Sequence, residues 1–121
     1  FIFRGTQKTL SELIGNNGIN AGIILPQKEF LNSQTYSYKK ANLSIYINNK
    51  IVGNAELWPL PGGPDASLNW LKKNLSRYNH KLLPGHIVLA GTASGLYPVK
   101  KGDKIQVYIN DNLAVHCNIL K

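Results

Sequence analysis

The sequence predicts an α+β protein, mainly β, with a rolled or barrel-like mixed sheet and one main helix. Three observations carry this. In KANLSIYINN, Ala41, Leu43, Ile45 and Ile47 alternate with Asn42, Ser44, Tyr46 and Asn48, the period of a half-buried strand. Ile105, Val107 and Ile109 alternate in the same way with Gln106, Tyr108 and Asn110. Between the two, Leu68, Leu71 and Leu75 recur at helical spacing behind a stretch rich in Pro and Gly.

Each element has a local cause. Thr9-Leu10-Ser11-Glu12 is a capping-box signature, so a helix starts at Thr9, and Gly15-Asn16-Asn17-Gly18 must stop it early. Ala21 to Leu25 is a short apolar run that reads as a strand stopped by Pro26, and residues 27–35 read as loop. Asn48-Asn49-Lys50 turns the first alternating strand back into a second, Ile51 to Leu57. Pro59, Pro61, Pro64 and Gly62-Gly63 forbid regular structure, and Asp65 follows as an acidic residue at the start of the main helix. Leu82-Leu83-Pro84-Gly85 is a turn into Ile87-Val88-Leu89-Ala90, apolar enough for a buried strand. After the small-residue turn Gly91 to Gly95, Lys100-Lys101-Gly102-Asp103 turns into the second alternating strand. Asp111-Asn112 then returns the chain through Leu113 to Leu120. No internal repeat and no linker are read.

The chain has 121 residues, enough for one domain that buries about two-thirds of its unfolded surface. No run reaches the roughly 18 apolar residues of a membrane-spanning helix. Lys and Arg outnumber Asp and Glu by 14 to 6, for a net charge of +8. The basic clusters Lys39-Lys40, Lys72-Lys73 and Lys100-Lys101 are short and lack interleaved aromatics, so they read as solvated surface rather than a nucleic-acid module. The single Cys117 has no partner for an intrachain disulfide, which points to the cytoplasm, and its place in a strand reads as an inert buried thiol. The chain opens on FIFRGTQKTL and holds no Met, which favours a piece of a longer protein.

Reactive groups are scattered. Glu12, Glu29, Glu56, Asp65, Asp103 and Asp111 are not spaced for a metal site, and His80, His86 and His116 stand apart from one another. No nucleophile–base set declares itself. Gly62-Gly63 before a helix has two readings, an anion cradle or a tight loop. The Gly91 turn is the other candidate, because small residues let a backbone approach a ligand or another strand closely.

The segment LPGHIVLAGTASGLYPVKKGDKIQVYI, following GGPDASLNWLKKNL, resembles the C-terminal part of the fumarylacetoacetate hydrolase superfamily. It is most similar to the branch of 2-keto-4-pentenoate hydratase and 4-oxalocrotonate decarboxylase. The matching features are the Gly-x-Pro loop and Trp-Leu helix of Pro64 to Leu71, the Pro84-Gly85 turn, the run Ile87 to Ala90, Gly91-Thr92 and Gly102-Asp103. Upstream, NNGINAGIIL resembles an Asn-containing loop of that branch, so the likeness runs from about residue 9 to the end.

The resemblance implies a lyase of aromatic meta-cleavage catabolism, a hydratase or decarboxylase acting on a 2-oxo acid. It implies Mg²⁺ or Mn²⁺ in the intact enzyme, chelated by the substrate's carboxylate and 2-oxo group. It places Gly91, Thr92, Ser94 and Asn20 against the substrate and implies self-association as a homo-oligomer. The family's Glu-x-Glu metal pair and catalytic lysine lie upstream of the matched region, and this chain has no Glu-x-Glu. The metal ligands are therefore expected outside residues 1–121, with no metal bound by this chain alone. His86 stands where the family often has Asp. The turn GTASG is closer to the Gly-Thr-Pro-x-Gly of the superfamily's hydrolases, which leaves C–C bond hydrolysis open. A non-catalytic descendant binding a carboxylate or a protein partner is the remaining alternative.

Overall fold

The computed structural model describes residues 9–26, 40–91 and 94–120. Helix α1 (Leu10–Gly15) and a 3₁₀ turn (Asn17–Ile19) precede strands β1 (Asn42–Ile47) and β2 (Lys50–Glu56). Helix α2 (Gly63–Ser76) then leads to β3 (Lys104–Ile109) and β4 (Asn112–Asn118). The strands form one sheet in the order β2-β1-β3-β4, so the protein is α+β and mainly β, with one main helix.

Every ladder in this sheet is antiparallel, which corrects the expected mixed sheet. Among the described residues the sheet is open, with β2 and β4 at its edges. The reason lies in the connections. Both hairpins close over two residues, and the crossover through α2 sets β3 beside β1 rather than beside β2. The expected strands at Ala21–Leu25 and Ile87–Ala90 form no ladder, and their large side chains are exposed, Ile87 at 58%. A short apolar run is compatible with a buried strand, but its periodicity does not separate that from an extended segment.

The hairpin turns have a clear chemical cause. Asn48 and Asn49, with φ of 51° and 64°, and Asn110 and Asp111, with φ of 47° and 65°, all take the left-handed conformation that a two-residue type I′ turn requires. Asn and Asp tolerate it better than other side-chain-bearing residues. Each edge strand also carries one extra residue. The register slips after Ile45↔Gly53 at Val52, and after Val107↔Val115 at Ala114.

These coincidences expose an internal repeat, contrary to the reading of the sequence. Leu43-Ser44-Ile45-Tyr46-Ile47-Asn48 matches Ile105-Gln106-Val107-Tyr108-Ile109-Asn110, and the two hairpins face each other about the Ile45↔Val107 pair. Their ends are clasped reciprocally. Asn48 N–H donates to the Lys104 carbonyl at 2.9 Å while Asn48 Oδ1 accepts from Lys104 N–H at 2.9 Å. Asn110 N–H donates to the Asn42 carbonyl at 3.0 Å while Asn110 Oδ1 accepts from Asn42 N–H at 2.8 Å. Ala41 and Asp103, the residues before β1 and β3, hold matching positions too. Ala41 accepts from Leu57 N–H and Asp103 from Ile119 N–H, and both are buried, at 2% and 5% exposure.

One face of the sheet is apolar, with Leu43, Ile45 and Ile47 opposite Ile109, Val107 and Ile105. The other carries Ser44, Tyr46, Gln106 and Tyr108. Gly53, opposite Ile45, admits Tyr97 to the apolar side. A Cβ at Gly53 would lie 2.9 Å from Tyr97 Cζ and 3.3 Å from Ser94 Cβ.

At the ends of the helices, the capping box of α1 is complete. Thr9 Oγ1 accepts from Glu12 N–H at 3.2 Å, and Glu12 Oε2 accepts from Thr9 N–H at 3.0 Å. Helix α2 starts from Gly62 in the left-handed conformation and ends on Asn79 in the same conformation, with His80 N–H reaching back to the Leu75 carbonyl. Leu68, Leu71 and Leu75 are half-buried as their spacing predicts, while Trp70 is 66% exposed.

Candidate functional site

Three segments converge on a cleft of about 600 Å³: the stretch after β2, the first turns of α2, and residues 88–90. Its walls include Trp58, Pro64, Leu68, Trp70, Val88 and Ala90. Local sequence explains the shape. Gly62 (φ 79°) and Gly63 (φ 57°) swing the chain from the Pro-rich stretch into α2, and a Cβ at Gly62 would lie 2.7 Å from Ala66 Cβ. Pro64 sits in the first helical turn, where its missing N–H costs nothing. The opposite wall is the extended apolar run, bounded by Gly85 (φ 87°) and Gly91 (φ 91°).

Polar groups at the cleft are few. Among the described lining residues Asp65 alone is ionisable, and it stands in the first turn of α2, where a negative charge is favoured. No described side chain caps that helix end. Trp58 Nε1 is buried and meets no acceptor among the described residues. These features suit a compact, largely apolar ligand. They include no acid–base pair among the described lining residues.

Of the residues expected at the site, Gly91 continues directly from the cleft wall at Ala90 and is exposed. Thr92 lies outside the described residues. Ser94 is half-buried on the apolar side of the sheet, where its carbonyl accepts from Tyr97 Oη. Asn20 is exposed and turned onto its own 3₁₀ turn. Its Nδ2 donates to the Asn17 carbonyl at 3.0 Å, and its carbonyl accepts from Asn17 Nδ2 at 3.3 Å. Gly91 thus adjoins the cleft lining along the chain without being part of it, and Ser94 and Asn20 have local structural work.

The glycines of the small-residue turn have a backbone cause of their own. Among the described residues, a Cβ at Gly91 or at Gly95 would meet nothing within 4 Å. Backbone conformation, with φ of 91° and 85°, is what requires glycine there. Close approach is served by Gly53 instead.

The other candidate groups are dispersed. His86 Nδ1 accepts from Leu83 N–H at 3.3 Å across the Pro84-Gly85 turn, His116 is exposed on β4, and Cys117 is a half-buried free thiol opposite Ile105. Among the described residues no three His, Cys, Asp or Glu side chains converge. No described helix is long and apolar enough to cross a membrane.

Sequence reasoning missed Trp58 and the cleft itself. The available signal was a pair of tryptophans flanking Gly62-Gly63, since buried aromatic bodies beside a backbone bend commonly wall a pocket. Comparison with family models, with curated proteins and with solved structures finds no match to this chain.

Proposed function

We propose that the chain is the C-terminal part of a divalent-metal-dependent 2-oxo acid hydratase or decarboxylase of the fumarylacetoacetate hydrolase superfamily, and that the cleft beside Gly91 is one wall of its substrate site. The observation that carries this reading is the continuity of the cleft wall Val88–Ala90 with Gly91, the turn that the resemblance assigns to the substrate. In this reading the cleft takes the carbon body of the 2-oxo acid and excludes water from it. The metal ligands and the acid–base groups belong to the rest of the enzyme, which works in the cytoplasm as a homo-oligomer and has no nucleic-acid partner.

The test is turnover of a 2-hydroxydienoate by the full-length protein in Mg²⁺ or Mn²⁺, lost on chelation and restored by metal. Absence of activity towards every 2-oxo acid tried would overturn the proposal.

A further inference from the structure

A second concavity lies on the opposite face of the sheet from Tyr97, where the two hairpins meet. It has a volume of about 380 Å³ and is lined by Ser44, Tyr46, Asn49, Gln106, Tyr108 and Asp111. These are three matched pairs of the repeat: Ser44 with Gln106, Tyr46 with Tyr108, and Asn49 with Asp111. Twofold equivalence brings like positions together only near its axis, so the axis is where six polar side chains from two hairpins converge. The pairs have nonetheless diverged in chemistry. Only one of the two turn positions carries a charge, and only one of the two strand positions carries an amide.

We propose that this concavity binds a neutral polyhydroxylated ligand, a monosaccharide or cyclic polyol. Each lining residue offers a hydroxyl, an amide or a carboxylate, and amides and hydroxyls both donate and accept, as a sugar hydroxyl does. Among the described residues no Lys, Arg or His lines it, which disfavours an anion. The rings of Tyr46 and Tyr108 meet edge to face, 5.3 Å apart and inclined at 70°, and give the site an aromatic floor for the C–H face of a sugar ring. Tyr108 is oriented from within, since Gln106 Nε2 donates to its Oη at 3.2 Å, which leaves the phenolic proton to be given to a ligand. Asn42 Nδ2 reaches Ser44 Oγ at 3.4 Å from the same face. The volume lies near the lower end of the range for small-molecule sites. This inference is independent of the proposed catalytic function and concerns the other side of the sheet.

The experiment is a titration of the ¹⁵N-labelled full-length protein, followed by amide NMR, with methyl α-glucoside, methyl α-mannoside and myo-inositol. Tetramethylammonium chloride and inorganic phosphate serve as contrasting probes. The expected result is saturable, millimolar-range perturbation of the Asn49 and Gln106 side-chain amides by at least one polyol. Tyr108→Ala should weaken that binding by about tenfold or more. Tyr108→Phe, which keeps the ring and the fold, should weaken it less, and Asp111→Asn should weaken it while the amide spectrum stays native. The proposal falls if no polyol gives a saturable shift at these amides. It also falls if tetramethylammonium or phosphate binds there and polyols do not, or if folded Tyr108→Phe and Asp111→Asn both bind like the parent.

Discussion

Asp103 gathers four hydrogen bonds at the start of β3. Its Oδ2 accepts from Lys100 N–H at 2.8 Å, its Oδ1 from Asn48 Nδ2 at 2.8 Å, its own N–H donates to the Lys100 carbonyl, and its carbonyl accepts from Ile119 N–H. The Lys100 N–H above all, then the Asn48 amide, and last the charge of Lys100, hold its carboxyl below the usual carboxylate range against the opposing effect of burial. A lowered native value means that the carboxylate contributes stability in full above the unfolded carboxylate range, near about 4. That stability drains away as pH falls through the lowered native value. Asp103→Asn places an N–H donor where one of two donors must be accepted. The expected outcome is a lower melting temperature at neutral pH and a shallower loss of stability on acidification, read by thermal melts from pH 7 to strongly acid. Gly53 gives a second prediction at this scale. Gly53→Ala drives a methyl into the Tyr97 ring and should cost about 1–3 kcal/mol in urea unfolding. In the Tyr97→Ala background the same change should cost much less, because the ring it meets is gone. Trp58→Phe is expected to be neutral or stabilising by up to about 1 kcal/mol, since it removes a buried donor that has no acceptor among the described residues.

Among the elements, the two hairpins are the units that matter. Each of their first turn residues combines a left-handed backbone with a clasp on the opposite hairpin, so Asn48→Ala and Asn110→Ala should both destabilise by about 1–3 kcal/mol. The Asn48 variant should lose more, because Asn48 also serves Asp103. Glycine at either position keeps the turn conformation and loses only the side-chain bonds, so Asn→Gly should recover part of each loss in the same unfolding assay. These hairpins were the most legible part of the sequence. Alternation at Leu43–Ile47 and Ile105–Ile109 is a local signal, and the Asn48-Asn49 turn announces its own conformation, whereas the second turn falls at Asn110-Asp111, one residue before the expected Asp111-Asn112. The α1 cap and the Leu68-Leu71-Leu75 face were legible for the same reason. Ile87–Ala90 was not, because whether an apolar run joins a ladder depends on a neighbour elsewhere in the chain. The repeat escaped notice because it conserves pattern, hairpin position and clasp rather than long identity. At the candidate site Gly91 was legible as a glycine, but its positive φ was not. A positive φ and a close contact both ask for glycine, and only coordinates separate them. The cleft itself needed the fold, since Trp58, Leu68 and Val88 come from three separate segments.

At the scale of the whole molecule, the sheet joins local hairpins through a long-range centre. β1 and β3 pair across everything from Asn48 to Asp103, including α2. Loop-closure entropy grows only slowly with length, at about 0.6 kcal/mol per doubling. A ten-residue Gly/Ser insertion between Lys81 and Leu82, both outside regular structure, should therefore cost under about 1 kcal/mol by urea unfolding and leave the sheet's amide protection intact. A larger loss would mean that the connection carries tension the ladders depend on.

The matched hairpins also bear on how the chain is made. During vectorial synthesis β1–β2 closes within its own few residues, on the microsecond scale of hairpin formation. Its inner edge must then wait, bare, until the residues of β3 have left the ribosome. While it waits, the surface it presents is met almost as well by the same hairpin on a neighbouring nascent chain as by its own later half, because the clasps engage main-chain atoms that any copy possesses. The duplication that gives the finished sheet its symmetry thus gives the unfinished one a rival template, and protein made on crowded polysomes would depend on how soon β3 emerges.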